Sequence, residues 1–132
     1  MKKVVLLSLV LLVTCLTGVL AQEKKQLLEV ANEGNKPSFK FESEEFNFGT
    51  IKQGESVTHE FVFTNTGNEP LLIMKADGSC GCTVPEYPKE PILKNQKGKI
   101  KVTFNSAGKV GMQDKTVTIQ SNAKTNPKVI HI

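Results

Sequence analysis

The sequence predicts an all-β fold in which about seven short antiparallel strands form two sheets packed face to face. Three observations predict it. Apolar and polar residues alternate at period two in short runs from Phe39 onward. Gly, Pro, Asn and Asp punctuate those runs every 8 to 12 residues or about that, the spacing of turns in a sandwich. No amphipathic helical pattern falls between the runs, so nothing suggests helices layered on a parallel sheet.

Taken in order, Phe39 and Phe41 alternate with Lys40 and Glu42, and Phe46 and Phe48 precede Gly49. Val57, Phe61 and Phe63 share one face, Thr58, Glu60 and Thr64 the other, and Asn65-Thr66-Gly67-Asn68 closes that strand as a turn. Leu71 to Met74 form the next run. Ile100, Val102 and Phe104 alternate with Lys99, Lys101 and Thr103, and Val117 and Ile119 alternate with Thr116, Thr118 and Gln120. Lys128 to Ile132 make a last strand. The Trp and inter-sheet Cys pair of antibody domains are missing, so the sandwich must be built on a different core.

Ahead of this domain, residues 1–21 read as a cleavable signal peptide. Lys2 and Lys3 supply a positive start, Val4 to Leu16 an apolar run, and Thr17 to Ala21 the small residues that place cleavage before Gln22. The run is shorter than the ~20 apolar residues a membrane span needs, so no transmembrane segment is expected. Cys15 offers a lipoprotein alternative, but Thr14 precedes it and apolar residues follow it, which fits removal better than lipidation. Residues 22–38 are polar, with Leu27, Leu28 and Val30 as isolated apolar points. They read as a tether able to form a turn or two of helix before Gly34 and Pro37.

Composition narrows the functional classes. The chain has 132 residues and a formal charge of +4. Lys2 and Lys3 account for two of the 17 basic residues, which leaves 15 against 13 acids in the mature chain. Every basic residue is Lys, and the aromatics are seven Phe and one Tyr. Without Arg forks or a basic stripe set among stacking rings, nucleic acid is not an expected partner. A domain of this size is large enough to fold without a metal or cofactor, and none is expected. No phosphate loop, nucleophile elbow or convergent carboxylate pair appears; Glu44, Glu45 and Glu86 read as solvated charges, and no catalytic residue is assigned.

Three segments carry a family resemblance: Phe48-Gly49-Thr50-Ile51 with Gly54-Glu55, then Phe61-Val62-Phe63-Thr64-Asn65-Thr66-Gly67, then Ser79-Cys80-Gly81-Cys82-Thr83. Together they resemble the exported bacterial domain-of-unknown-function family fifteen-seventy-three, over about Phe41 to Ile132, with Cys-Gly-Cys-Thr the most specific part. The resemblance implies an immunoglobulin-like β-sandwich related to hydin and major-sperm-protein-like domains, exported to the periplasm or beyond, with no established activity. It also implies a final strand running a few residues past Ile132, so a short sheet edge is expected there.

One constellation carries chemistry. Cys80 and Cys82 are the two cysteines left after the leader, an even count that invites a disulfide in an oxidising compartment. Bridging residues two apart needs a bent backbone, which Gly81 permits, and such a bond would be strained and readily reduced. The plainer reading makes both cysteines small packing residues or an inert clip. A soft-metal site is a further reading, with Cys80 and Cys82 joined by His59, Met74, Met112 or His131. Tyr87, between Pro85 and Pro88, is expected to be exposed on a rigid loop. The leading expectation is a non-enzymatic exported module that binds an envelope or extracellular protein through end loops or a sheet edge. The loop Asp77 to Pro91, with Cys80, Gly81, Cys82, Thr83 and Tyr87, is the expected contact surface; thiol-redox or soft-metal chemistry at Cys80-Gly81-Cys82 is the alternative.

Overall fold

Helix α1 spans Lys2–Asn35 in the computed structural model, which describes the backbone from Lys2 to Ile132 and side chains from Gly18 onward. Most of the expected signal peptide, with Cys15 and its lipoprotein alternative, therefore lies outside the residues whose side chains are described. The segment after Ala21 is helical to Asn35, longer than the turn or two expected. Glu, Lys, Gln, Leu and Ala dominate Gln22 to Ala31, and these straight-chain residues and alanine lose little freedom in a helix. Gly34 and Pro37 stop it, as expected, since proline disfavours helical backbone in the residue before it. Among the described residues no helix is long and apolar enough to cross a membrane. The chain divides into two units, Met1–Gly34 and Asn35–Ile132.

The second unit holds seven strands: β1 Phe39–Phe41, β2 Ser56–Asn65, β3 Ile73–Gly78, β4 Thr83–Glu86, β5 Lys97–Asn105, β6 Thr116–Ser121 and β7 Lys128–His131. They form one sheet in the order β1-β2-β5-β4 and another in the order β3-β6-β7, with every named pairing antiparallel. This is the A-B-E-D and C-F-G strand order of a constant-type immunoglobulin sandwich.

Alternation dictates the core. Phe61, Phe63, Ile100 and Val102 from the first sheet meet Ile73, Val117, Ile119 and Ile130 from the second, all buried. Each buried side chain of this size contributes roughly 1.5–3 kcal/mol. Phe39 and Phe41 pack on Phe63 at centroid distances of 5.1 and 5.4 Å. On the other side of Phe63, a Cβ added at Gly98 would lie 2.5 Å from its ring, so that glycine makes room for the aromatic. The outer face of the same sheet carries cross-strand ion pairs, Lys97–Glu42, Lys99–Glu60 and Lys101–Glu86. These exposed pairs add little stability but mark a solvated surface.

Three local assignments differ from the sequence reading. Phe46 and Phe48 lie in no strand, because the chain here crosses from the first sheet to the second: Glu45 makes an isolated parallel bridge to His131, and the Phe46 amide donates to the His131 carbonyl. The run at Leu71 to Met74 is shifted, with β3 beginning at Ile73, bulging before Lys75 and continuing through Asp77 to Gly78. Thr83 to Glu86, read as loop, is edge strand β4, where Pro85 is tolerated because only one side is paired.

The ends of the sandwich are tied by polar side chains. At the Asn65 end, the fully buried Asn65 accepts from the Ser38 and Gly67 amides and donates to the Glu69 and Ile92 carbonyls. At the Ser56 end, buried Ser106 directs its hydroxyl to the Lys52 and Glu55 carbonyls.

Asn65→Ala strips four hydrogen bonds from buried or half-buried groups and is expected to lower unfolding free energy by about 4 kcal/mol. Urea denaturation checks this; a loss below about 1 kcal/mol would show that the side chain is dispensable.

Candidate functional site at the Ser56 end of the sandwich

Antiparallel pairing gathers three connections at one end. Ser56 lies opposite Asn105, and Thr83 opposite Phe104, so the β1–β2, β3–β4 and β5–β6 connections emerge together. Backbone bonds knit them: the Ser106 amide donates to the Glu55 carbonyl, Asn105 to Cys82, and Ser79 to Thr116. The segment 35–38 that leads into β1 lies at the opposite end, where the Thr66 amide donates to the Ser38 carbonyl and Lys124 to Pro37.

Cys80, Gly81 and Cys82 form the corner at which the chain leaves β3 in one sheet and starts β4 in the other. Their thiols are joined in a disulfide, with Cα atoms 5.2 Å apart. The corner is also a turn closed by the Thr83 amide donating to the Cys80 carbonyl. Thr83 is buried, and its Oγ1 lies 3.6 Å from Cys80 Sγ and 3.8 Å from Cys82 Sγ. Because a disulfide sulfur carries no hydrogen, the hydroxyl is the donor, its single hydrogen within reach of either sulfur. Behind it, a Cβ at Gly78 would overlap the Thr83 backbone carbonyl, so β3 and β4 approach here only because Gly78 lacks a side chain. A disulfide closing a loop of three residues removes little entropy from the unfolded chain, about 1.5 kcal/mol in the chain-entropy treatment. The corner therefore rests on backbone bonds and the Gly78–Thr83 packing as well as on sulfur.

The other expected contact residues separate from this corner. Tyr87 is half-buried rather than exposed: its hydroxyl donates to the Met74 carbonyl at 3.1 Å, and the Lys89 ammonium sits 3.5 Å over its ring. Because β4 carries the chain on to Glu86, Tyr87 falls beside β3 instead of at a loop tip. The proposed metal ligands likewise have different neighbours. His59 stacks flat on Phe46 at a centroid distance of 3.6 Å, with Phe61 edge-on at 4.7 Å. Met74 is exposed on β3, Met112 is fully exposed in the β5–β6 connection, and His131 faces Asp114 at 3.3 Å. Among the described residues no three His, Cys, Asp or Glu side chains are grouped to hold a metal ion.

A feature the sequence reading missed lies beside the corner. A cleft of about 910 Å³ opens between residues 45–53, the connection 109–115 and the end of β7, floored by Phe104. Its rim includes Phe46, Val110 at 77% and Met112 at 100% exposure. Gly108 and Gly111 take left-handed backbone on either side of Val110, which turns that apolar residue outward. The signal was present in Gly108-Lys109-Val110-Gly111-Met112, which has apolar residues between turn glycines, but only the fold places it against Phe46 and Phe48.

The architecture defines the class: a seven-stranded, two-sheet β-sandwich domain with a disulfide at an inter-sheet corner. The chain belongs to the family described as Protein of unknown function (DUF1573), which matches residues 39–132. Among solved structures it is similar to a protein of unknown function from Porphyromonas gingivalis W83, with TM-score 0.62 and 13% identity. That match covers 76% of this chain and 46% of the other, so this chain spans under half of that protein, and at this identity the likeness shows the fold alone. Secreted serine protease VesC from Vibrio cholerae also aligns, at TM-score 0.47 and 13% identity over 77% of this chain and 23% of its own. No curated protein matches the chain.

Desolvation beneath Phe46 lowers the His59 pKa below 6.5, partly opposed by Glu60. A depressed histidine favours the neutral form in the fold, so the unfolded chain takes up the proton first. Stability from this group is present above the ordinary histidine pKa and is lost as pH falls through it toward the lower folded value. Wild type is expected to lose more stability than His59→Gln between about pH 7.5 and 5, read from urea midpoints; identical losses would contradict it.

Proposed function

We propose that this is an exported binding module that engages an envelope or extracellular protein through the Ser56 end of its sandwich. The observation that carries the reading is the apolar rim of Phe46, Val110 and Met112 around a cleft formed by end connections. Exposed apolar side chains held on a rigid sandwich supply contact area at little ordering cost, and a cleft of this size accepts side chains of a partner. Segment 35–38, which leads into β1, lies at the opposite end of the sandwich. Within Asp77 to Pro91 only the Cys80–Cys82 portion, with the neighbouring cleft, forms the contact surface, since Tyr87 is engaged with Met74. Export rests on Lys2, Lys3, the apolar run and the small residues before Gln22.

Two measurements test this. The mature protein recovered from cells should begin at Gln22; a mass that retains residues 1–21 would remove the export reading. Val110→Asp with Met112→Asp should weaken capture of the partner from an envelope fraction at least tenfold and leave the urea midpoint unchanged, whereas Lys99→Glu on the solvated face should not affect capture. Equal capture by all three proteins would overturn the proposed surface.

A further inference from the structure

We propose that Cys80 and Cys82 form a dithiol–disulfide exchange site whose substrate is a cysteine pair of another polypeptide. This activity goes beyond the binding role and does not depend on it. Three features of the corner support it. First, both cysteines are half-buried at an end of the domain, and a Cβ added to Gly81 between them would meet nothing within 4 Å, so the outer side of the turn is open. Second, the corner keeps its framework when the sulfurs part. Thr83 is bonded to Cys80, Asn105 to Cys82 and Ser79 to Thr116 through the backbone, and Gly78 packs directly on Thr83. The pair can therefore cycle between oxidised and reduced states without unfolding the sandwich. Third, the Thr83 hydroxyl lies within hydrogen-bonding reach of both sulfurs, so it can donate to whichever one leaves as a thiolate. A better-stabilised leaving thiolate departs faster.

One substrate thiol loses its proton to solvent, and its thiolate attacks one sulfur of the pair. The Cys80–Cys82 bond breaks and a mixed disulfide forms. The other cysteine leaves as a thiolate, takes the Thr83 hydrogen bond and then a proton from solvent. The second substrate thiol, deprotonated in turn, attacks its own neighbour's sulfur in the mixed disulfide. The substrate disulfide forms, and the remaining cysteine of the pair is released and protonated. Two electrons pass from the substrate dithiol to the pair, and the two protons lost by the substrate match the two gained by Cys80 and Cys82.

The test uses the full oxidised chain and a synthetic peptide containing a reduced Cys-x-x-Cys pair. The expected result is stoichiometric oxidation of the peptide, read by mass after acid quenching and thiol alkylation, with the circular dichroism of the folded protein retained. Either single variant, Cys80→Ser or Cys82→Ser, should form a lasting mixed disulfide with a one-cysteine version of the peptide offered as its symmetrical disulfide, because neither partner then holds a second thiol to resolve it. Thr83→Val should slow exchange roughly tenfold, the loss of one hydrogen bond to a charged sulfur, and Thr83→Ser should restore the rate. No peptide oxidation until denaturant is added would overturn the proposal, and so would loss of the folded signal on reduction, because either marks the bond as a staple. Failure of the Val110 and Met112 variants to alter partner capture would leave this result untouched.

Discussion

A single buried amide organises the end of the domain at which the chain begins its sandwich. Asn65 closes β2, and its side chain has no exposure to water, so each of its polar atoms must find a partner within the protein. It finds four: the Ser38 and Gly67 amides, and the Glu69 and Ile92 carbonyls. Those partners come from the approach to β1, the β2–β3 turn and the β4–β5 connection. A carboxamide has two donor hydrogens and an acceptor oxygen in one plane, and few side chains could satisfy both kinds of group at once. The backbone of Asn65 adds bonds from Asn95 and to Gln96, so the β5 approach is tied to the same point. The register of β1 against β2 and β2 against β5 is thus pinned where the three meet.

The opposite end is held differently, and that difference gives it its chemistry. Ser106 ties the β5–β6 connection to the β1–β2 connection with one hydroxyl, and Gly78 lets β3 and β4 close on Thr83. Between these fixed points the connections stay exposed, and they carry a disulfide and an apolar rim. A sandwich buries the alternating face of each strand, so whatever it offers a partner must come from its outer faces, its edges or its ends. Here the outer face of the four-stranded sheet is covered with paired lysines and glutamates. The edge of the three-stranded sheet at β7 is partly occupied by the crossing segment at Glu45. The Ser56 end carries both exposed apolar surface and the disulfide.

Family membership and the likeness to the Porphyromonas gingivalis protein extend the fold but not the role, since both descriptions end at unknown function. What distinguishes this domain physically is the placement of the Cys80-Gly81-Cys82 turn at a corner between sheets rather than across the core. An inter-sheet disulfide of the antibody kind closes a long loop and constrains the unfolded chain strongly, whereas a three-residue loop does so weakly.

The sequence by itself determined the all-β class, the facing sets Phe61–Phe63, Ile100–Val102 and Val117–Ile119, the turn at Asn65-Thr66-Gly67, and two cysteines close enough across Gly81 for a disulfide, which it left open beside free thiols and a metal site. These are local quantities: strand periodicity, turn chemistry and the reach of a bent tripeptide follow from neighbours in the chain. The tertiary structure alone decided the rest. Thr83 to Glu86 became a strand because β5 offered it a partner, despite Pro85. Phe46 and Phe48 left the sheet pattern because the chain must pass there from one sheet to the other. Tyr87 turned inward because a carbonyl of β3 lay within reach of its hydroxyl. The cleft gathers residues 45–53, 104–115 and 131–132, brought together by antiparallel pairing and by two sheets closing on one core, which no local pattern encodes.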